Sequence, residues 1–120
     1  MAESVQGIGG VFFRARDPEA LRAWYAAQLG IEMEEYGTTF TAKDGDQTVW
    51  GPFPSDTTYF GRDDQQAMVN FRVRDLDAML EQLRSAGVDV DSRVEEHEYG
   101  RFGWATDLEG NRFELWQPPA

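Results

Sequence analysis

Arg14, Arg72 and Glu114 stand at alternating positions of stretches that read as strands, among aromatic residues, and their types suit a small-molecule site. Gly10, Phe12 and Arg14 alternate with the apolar Val11, Phe13 and Ala15, and Met68, Asn70 and Arg72 alternate with Val69, Phe71 and Val73. The uniformly apolar sets suit burial under helices, so the other sets turn to the opposite face, where Thr48, Trp50, Arg112, Glu114 and Trp116 are expected to join them. Two cations there need partners, either Glu114 or a bound anion. Phe12, Trp50 and Trp116 supply apolar contact, Met68 and Trp104 add to the walls, and Asn70 with the arginines orients a carboxylate or similar group. Glu114, walled by Trp and Phe, has the environment that raises a carboxyl pKa toward a proton-transfer role, and it is the candidate catalytic residue.

Other chemistries fall away on composition. The 120 residues include no cysteine, which excludes disulfides, thiol catalysis and thiolate metal sites, and one histidine, His97, in the acidic run Glu95-Glu-His-Glu98. No serine sits in a nucleophile-elbow context and no glycine-rich phosphate loop precedes a helix. Eleven Lys and Arg against 22 Asp and Glu leave a net charge of −11, with the cations scattered. Nucleic acid and anionic membrane are therefore not expected partners. The apolar runs are far shorter than a membrane span, and a cytoplasmic location is expected.

The elements that must position these residues come from a repeat. Val11–Ala20 laid on Val69–Ala78 matches at six of ten positions. Each copy reads as a strand, an Asp cap (Asp17, Asp75) and a helix, with Leu21, Trp24, Tyr25 and Leu29 at helical spacing in the first and Leu76, Met79, Leu80 and Leu83 in the second. Trp24 and Tyr25 are expected in the core. Pro18 suits a first helical position, and Gly30 and Gly87 end the helices. Period-two stretches follow at 31–36, 38–43 and 47–53, and again at 88–94, 102–106 and 112–116. Each copy is thus βαβββ. One α+β domain follows, with a first module over about 7–54, a linker at 55–66 and a second module over about 67–117, the two sharing one core because neither half is large enough alone. Gly51–Pro54 with Tyr59 and Phe60 reads either as an aromatic lid over the opening or as an ordinary packed connector.

The repeat, Ala23-Trp-Tyr-Ala-Ala-Gln-Leu-Gly30, Val73-Arg-Asp-Leu-Asp77 with Leu83-Arg-Ser-Ala-Gly87, and Tyr99-Gly-Arg-Phe-Gly103 followed by Asp107–Leu115 together resemble the vicinal oxygen chelate superfamily of glyoxalase I, bleomycin-resistance proteins and extradiol dioxygenases. Leu108 departs from the proline common in that turn. The resemblance implies an open, cup-shaped mixed sheet, a homodimer, and in the catalytic members a divalent metal held by His, Glu or Gln at four symmetric positions. These fall on Gly10, on Thr48 or Val49, on Met68 and on Glu114, so only Glu114 is a usual ligand, where about three are needed. The expectation is a protein without cofactor that binds a small, partly aromatic and anionic molecule, like the antibiotic-sequestering branch. The alternative is a metal-dependent lyase, isomerase or dioxygenase that recruits His97 beside Glu114 or completes its ligands from a partner chain. A third reading is an interaction module whose cup is filled by its own side chains.

Overall fold

A computed structural model describes residues 3–32, 34 and 37–120. Strand β1 (Gly7–Ala15) leads to helix α1 (Pro18–Leu29), then β2 (Thr38–Thr41) and β3 (Gln47–Pro54). The second half runs β4 (Ala67–Arg72), α2 (Leu76–Ser85), β5 (Asp89–Val90), β6 (Glu95–His97), β7 (Gly100–Thr106) and β8 (Arg112–Gln117). The strands form one open sheet in the order β2-β3-β1-β4-β8-β7-β5, with β6 also paired to β7. At its centre β1 and β4 run antiparallel, and each is flanked by a parallel partner, β3 and β8 respectively. This is the arrangement expected of two βαβββ units related by a twofold.

The local signals act as expected. Asp17 Oδ1 accepts from Ala20 N at 3.0 Å and Asp75 Oδ1 from Ala78 N at 3.1 Å, so each Asp satisfies a free donor of its helix's first turn. Gly30 closes α1 at φ 67°, a left-handed conformation that a side chain would strain. Two expected strands differ. Of 31–36, Ile31 and Glu32 are in no strand, Glu34 makes an isolated bridge to Gly37, and Met33, Glu35 and Tyr36 lie outside the described residues. The stretch 88–94 is ordered as a strand only at Asp89–Val90, because Asp91 Oδ1 accepts from Arg93 N at 2.9 Å and folds the chain into a turn.

The alternation separates two apolar clusters on opposite faces. Beneath α2, Val73, Leu76, Met79, Leu80 and Leu115 are buried, with Phe71 and Phe113 against them. On the other face Phe60, Met68 and Trp104 are fully buried, surrounded by Phe12, Phe53, Tyr59 and Phe102. The repeat is unequal in its helices. α2 buries three of its residues and α1 buries none, and Trp24, expected in the core, is 54% exposed. The reason is the alanine-rich make-up of α1, which leaves Tyr25 as its aromatic contact to the sheet, edge-on to Trp50 with ring centroids 4.6 Å apart. Leu80→Ala is therefore expected to destabilise the fold by about 2–5 kcal/mol and Trp24→Ala by under about 1 kcal/mol, as read by chemical denaturation.

Candidate functional site

The cup is built on β1, β4, β7 and β8 and closed by the linker. Glu114 on β8 is 2% exposed and lies opposite Trp104 of β7 and Asn70 of β4 in the strand register. Asn70 Nδ2 donates to Glu114 Oε1 at 2.6 Å, and Trp104 Nε1 donates to Oε2 at 3.0 Å. The Tyr59 hydroxyl, arriving from the linker, donates to the same Oε2. Three neutral donors thus surround a buried carboxylate. Burial raises its pKa, opposed by the hydrogen bonds of Tyr59, Asn70 and Trp104 and by the charge of Arg112. Burial and the adjacent carboxylate likewise push the Tyr59 hydroxyl upward, so it remains a donor.

Asn70 carries a second feature. Its Oδ1 is buried without a protein partner, over Gly9, where a Cβ would collide with it and would lie 2.8 Å from Trp116 Cε3. Only glycine permits the Asn70 side chain to occupy this place.

The linker reaches the cup because Arg14 holds it there. Arg14 Nε donates to Gln65 O at 2.8 Å, Nη1 to Ser55 O at 2.7 Å and Thr57 O at 2.8 Å, and Nη2 to Arg62 O at 2.9 Å. The guanidinium also lies over the Phe60 ring, 5.2 Å from its centroid. Gln65 extends the attachment to β8: its Nε2 donates to Arg112 O at 2.7 Å and its Oε1 accepts from Arg112 N at 2.8 Å. In this placement Tyr59 lies against Phe53 and Trp104, and Phe60 is buried, so the segment packs as a connector across the cup. The direct bond from Tyr59 to Glu114 has no signature in the sequence beyond an aromatic pair in a polar linker.

Several expected placements are corrected. Arg14 and Arg72 were expected to meet Glu114 or an anion, but backbone carbonyls take up both. Arg72 Nη1 donates to Ile8 O at 2.6 Å and Gln47 O at 2.7 Å, and its Nη2 lies 3.4 Å from Asp46 Oδ2. Trp50 was expected on the cup face. It pairs in register with Val11 and packs against Phe13 and Tyr25, which puts it under α1. Phe12, Met68, Asn70, Trp104 and Trp116 do face the cup: Phe12 meets Phe53 edge-on, and Trp116 stacks on Phe102 and donates from Nε1 to Tyr99 O at 2.9 Å.

The donor chemistry does not fit the four-position metal set. Gly10 has no side chain, Thr48 Oγ1 donates to Ile8 O at 3.1 Å, and the Met68 thioether is packed with Phe60 and Trp104. His97 pairs with Glu95 Oε1 at 3.1 Å and stacks on Tyr99, with Phe102 at its edge, while the partners of Glu114 are Tyr59, Asn70 and Trp104. Among the described residues no group of three or more His, Cys, Asp or Glu is placed to hold a metal ion. A separate open groove of about 1120 Å³ beside α1 is lined by Arg14, Asp17, Trp24 and Asp63, and Glu114 is not part of it.

A carboxyl raised in the folded state binds more protons there than in the unfolded chain. Its stabilising contribution is complete below the unfolded value and is lost as pH rises through the folded one. Thermal unfolding between about pH 4 and pH 8 is expected to show this loss in the wild type and not in Glu114→Gln, so the variant gains on the wild type as pH rises. A difference between the two that does not change with pH would contradict the raised value.

Comparison with known proteins agrees with this architecture. The family model described as a glyoxalase-like domain matches residues 10–116. A methylmalonyl-CoA epimerase from Streptomyces coelicolor superposes with a TM-score of 0.75 at 19% identity, covering 98% of this chain and 100% of that one. The methylmalonyl-CoA epimerase from Mycobacterium tuberculosis gives 0.70 at 21% identity, covering 97% and 90%. A Mn(II)-bound glyoxalase from Novosphingobium aromaticivorans gives 0.67 at 20% identity, covering 96% of this chain and 40% of the other. None of the curated proteins compared matches the sequence. The repeat, the cup and the matched domain agree: this chain belongs to the glyoxalase-like domain family, within the vicinal oxygen chelate superfamily.

Proposed function

We propose that this protein binds a small, partly aromatic molecule in the cup over Glu114, without the four-position metal set of its superfamily. The carrying observation is the buried carboxylate with its three donor side chains and the unpaired Asn70 Oδ1, set in an aromatic enclosure. A cup filled only for stability has no use for these groups, since apolar residues of similar volume stabilise a core as well or better than a buried charge. The linker fills the cup with Phe60 and Tyr59, as the interaction-module reading expects, but Tyr59 is half-buried and joins Glu114 by one hydroxyl. A ligand that displaces it regains that hydrogen bond.

Structural neighbours bind small molecules in the same fold, a methylmalonyl-CoA epimerase being described in complex with methylmalonyl-CoA. The metal-dependent alternative, a lyase, isomerase or dioxygenase, is supported by the Mn(II)-bound neighbour and opposed by the donor set described above. A homodimer belongs to the same proposal. Trp24 and Leu29 on α1, 54% and 61% exposed, offer an apolar surface for a second copy. No helix among the described residues is long and apolar enough to cross a membrane.

The test is elemental analysis after titration with Mn, Fe(II), Ni and Zn, run beside a thermal-shift screen of aromatic compounds. The expected result is no stoichiometric metal, and ligand stabilisation of about 2.7 kcal/mol at a hundredfold excess over Kd. One metal per chain, lost in Glu114→Ala, would replace this reading with the metal-dependent one.

A further inference from the structure

Glu114 is a buried carboxylate that no cation of the chain pairs with among the described residues. Arg112, whose charge is felt at Glu114, gives Nε to Tyr59 O at 3.1 Å and Nη1 to Asp91 Oδ2 at 3.3 Å. Arg93, on the Trp104 ring, pairs with Glu95 at 3.3 Å. Arg14 and Arg72 are taken up by carbonyls. Buried charges in proteins are ordinarily matched by an opposite charge, and neutral donors alone match this one only in part.

The surroundings point the same way. Asn70, 2% exposed, binds Glu114 Oε1 through Nδ2 and leaves its own Oδ1 without a partner over Gly9, so the polar groups of the cup floor are not all matched within the chain. Phe53, stacked on Tyr59, and Phe12, edge-on to Phe53, wall the place that Tyr59 occupies, and aromatic faces attract cations. Beyond Phe102, Tyr99 and His97 stack in parallel in a run that carries Glu95, Glu96 and Glu98, of which Glu95 pairs with Arg93 and Glu96 with Arg101, on a chain of net charge −11. Such a field raises the local concentration of cations and repels carboxylates. The residue that fills the position in the closed cup, Tyr59, is itself an aromatic ring bearing a donor to Glu114.

We infer that the ligand of this cup is an aromatic ammonium: a flat apolar ring replaces Tyr59, and its protonated amine bonds Glu114 Oε2 in place of the Tyr59 hydroxyl. This rests on the cup-binding reading above and gives it a charge sign, opposite to the anion that the two arginines suggest in the sequence. Binding competes with the linker, so removing the Tyr59 ring strengthens it.

The test uses three probes of one shape: phenethylamine, phenethyl alcohol and phenylpropionate. Each is titrated by calorimetry into the wild type, Tyr59→Ala and Glu114→Gln, whose folds are checked by circular dichroism. The indole Nε1–H resonance of Trp104, identified with Trp104→Phe, reports whether the probe reaches Glu114. The expected result is phenethylamine binding at least about tenfold tighter than either other probe, tighter still to Tyr59→Ala, with its advantage lost in Glu114→Gln and a shift of the Trp104 resonance. Equal or stronger binding of the alcohol or the carboxylate, with that shift, overturns the ammonium class and leaves cup binding standing. Binding without the shift places the amine elsewhere and also overturns the inference. No binding of any probe to either the wild type or Tyr59→Ala overturns both the inference and the reading beneath it.

Discussion

The arrangement of the cup depends on one guanidinium. Arg14 leaves the central strand β1 on the cup side and donates to four carbonyls of the linker, those of Ser55, Thr57, Arg62 and Gln65. A planar fork with five donors can gather a loop in this way, and a lysine ammonium with three donors on a flexible stem cannot reproduce its geometry. The linker is otherwise polar and turn-rich, and besides Arg14 it is held by the buried Phe60 and by Gln65 on the Arg112 backbone. Held by Arg14, it delivers Phe60 to the buried centre and Tyr59 to Glu114. Glu114, whose burial raises its pKa, thereby gains Tyr59 as a third neutral donor beside Asn70 and Trp104 of the sheet.

Duplication supplies the frame, and departures from symmetry supply the site. Arg14 and Arg72 occupy equivalent places in the repeat yet do different work, one gathering the linker and the other joining the ends of β1 and β3 through Ile8 O and Gln47 O. The helices differ likewise: α2 seals its face of the sheet with Leu76, Met79 and Leu80, while α1 stands on the sheet through half-buried contacts. Gly9 is a further asymmetry. Its missing side chain leaves room for Asn70 to turn toward Glu114, and Gly9 and Asn70 operate as a pair although they come from different halves.

The frame was legible in the sequence because its signals are local. The repeat, the Asp caps, the glycine stops and the period-two stretches each act within a few residues, and their order carries the fold. The face assignments of Phe12, Met68, Asn70 and Glu114 followed from alternation along strands. Trp50 did not follow. The parallel pairing of β3 with β1 sets it opposite Val11, and register between distant strands is not written in either strand alone. Arg14 was legible as a buried cation in need of partners, but its partners are backbone carbonyls, which every linker sequence possesses and none advertises. Trp24 was misplaced since helical spacing shows which residues share a face and not how closely that face packs.

The central claim is that Arg14 sets the position of Tyr59 on Glu114 without any hydrogen bond between the two side chains. A double-mutant cycle of Arg14→Met and Tyr59→Phe, read by denaturant unfolding, measures that coupling directly. If Arg14 delivers Tyr59 to the carboxylate, removing the hydroxyl matters less once the linker is loose, and the two changes are non-additive by about 1–3 kcal/mol. Additive effects, within about 0.5 kcal/mol, would show that Tyr59 reaches Glu114 independently of Arg14, and the account would be wrong at its base.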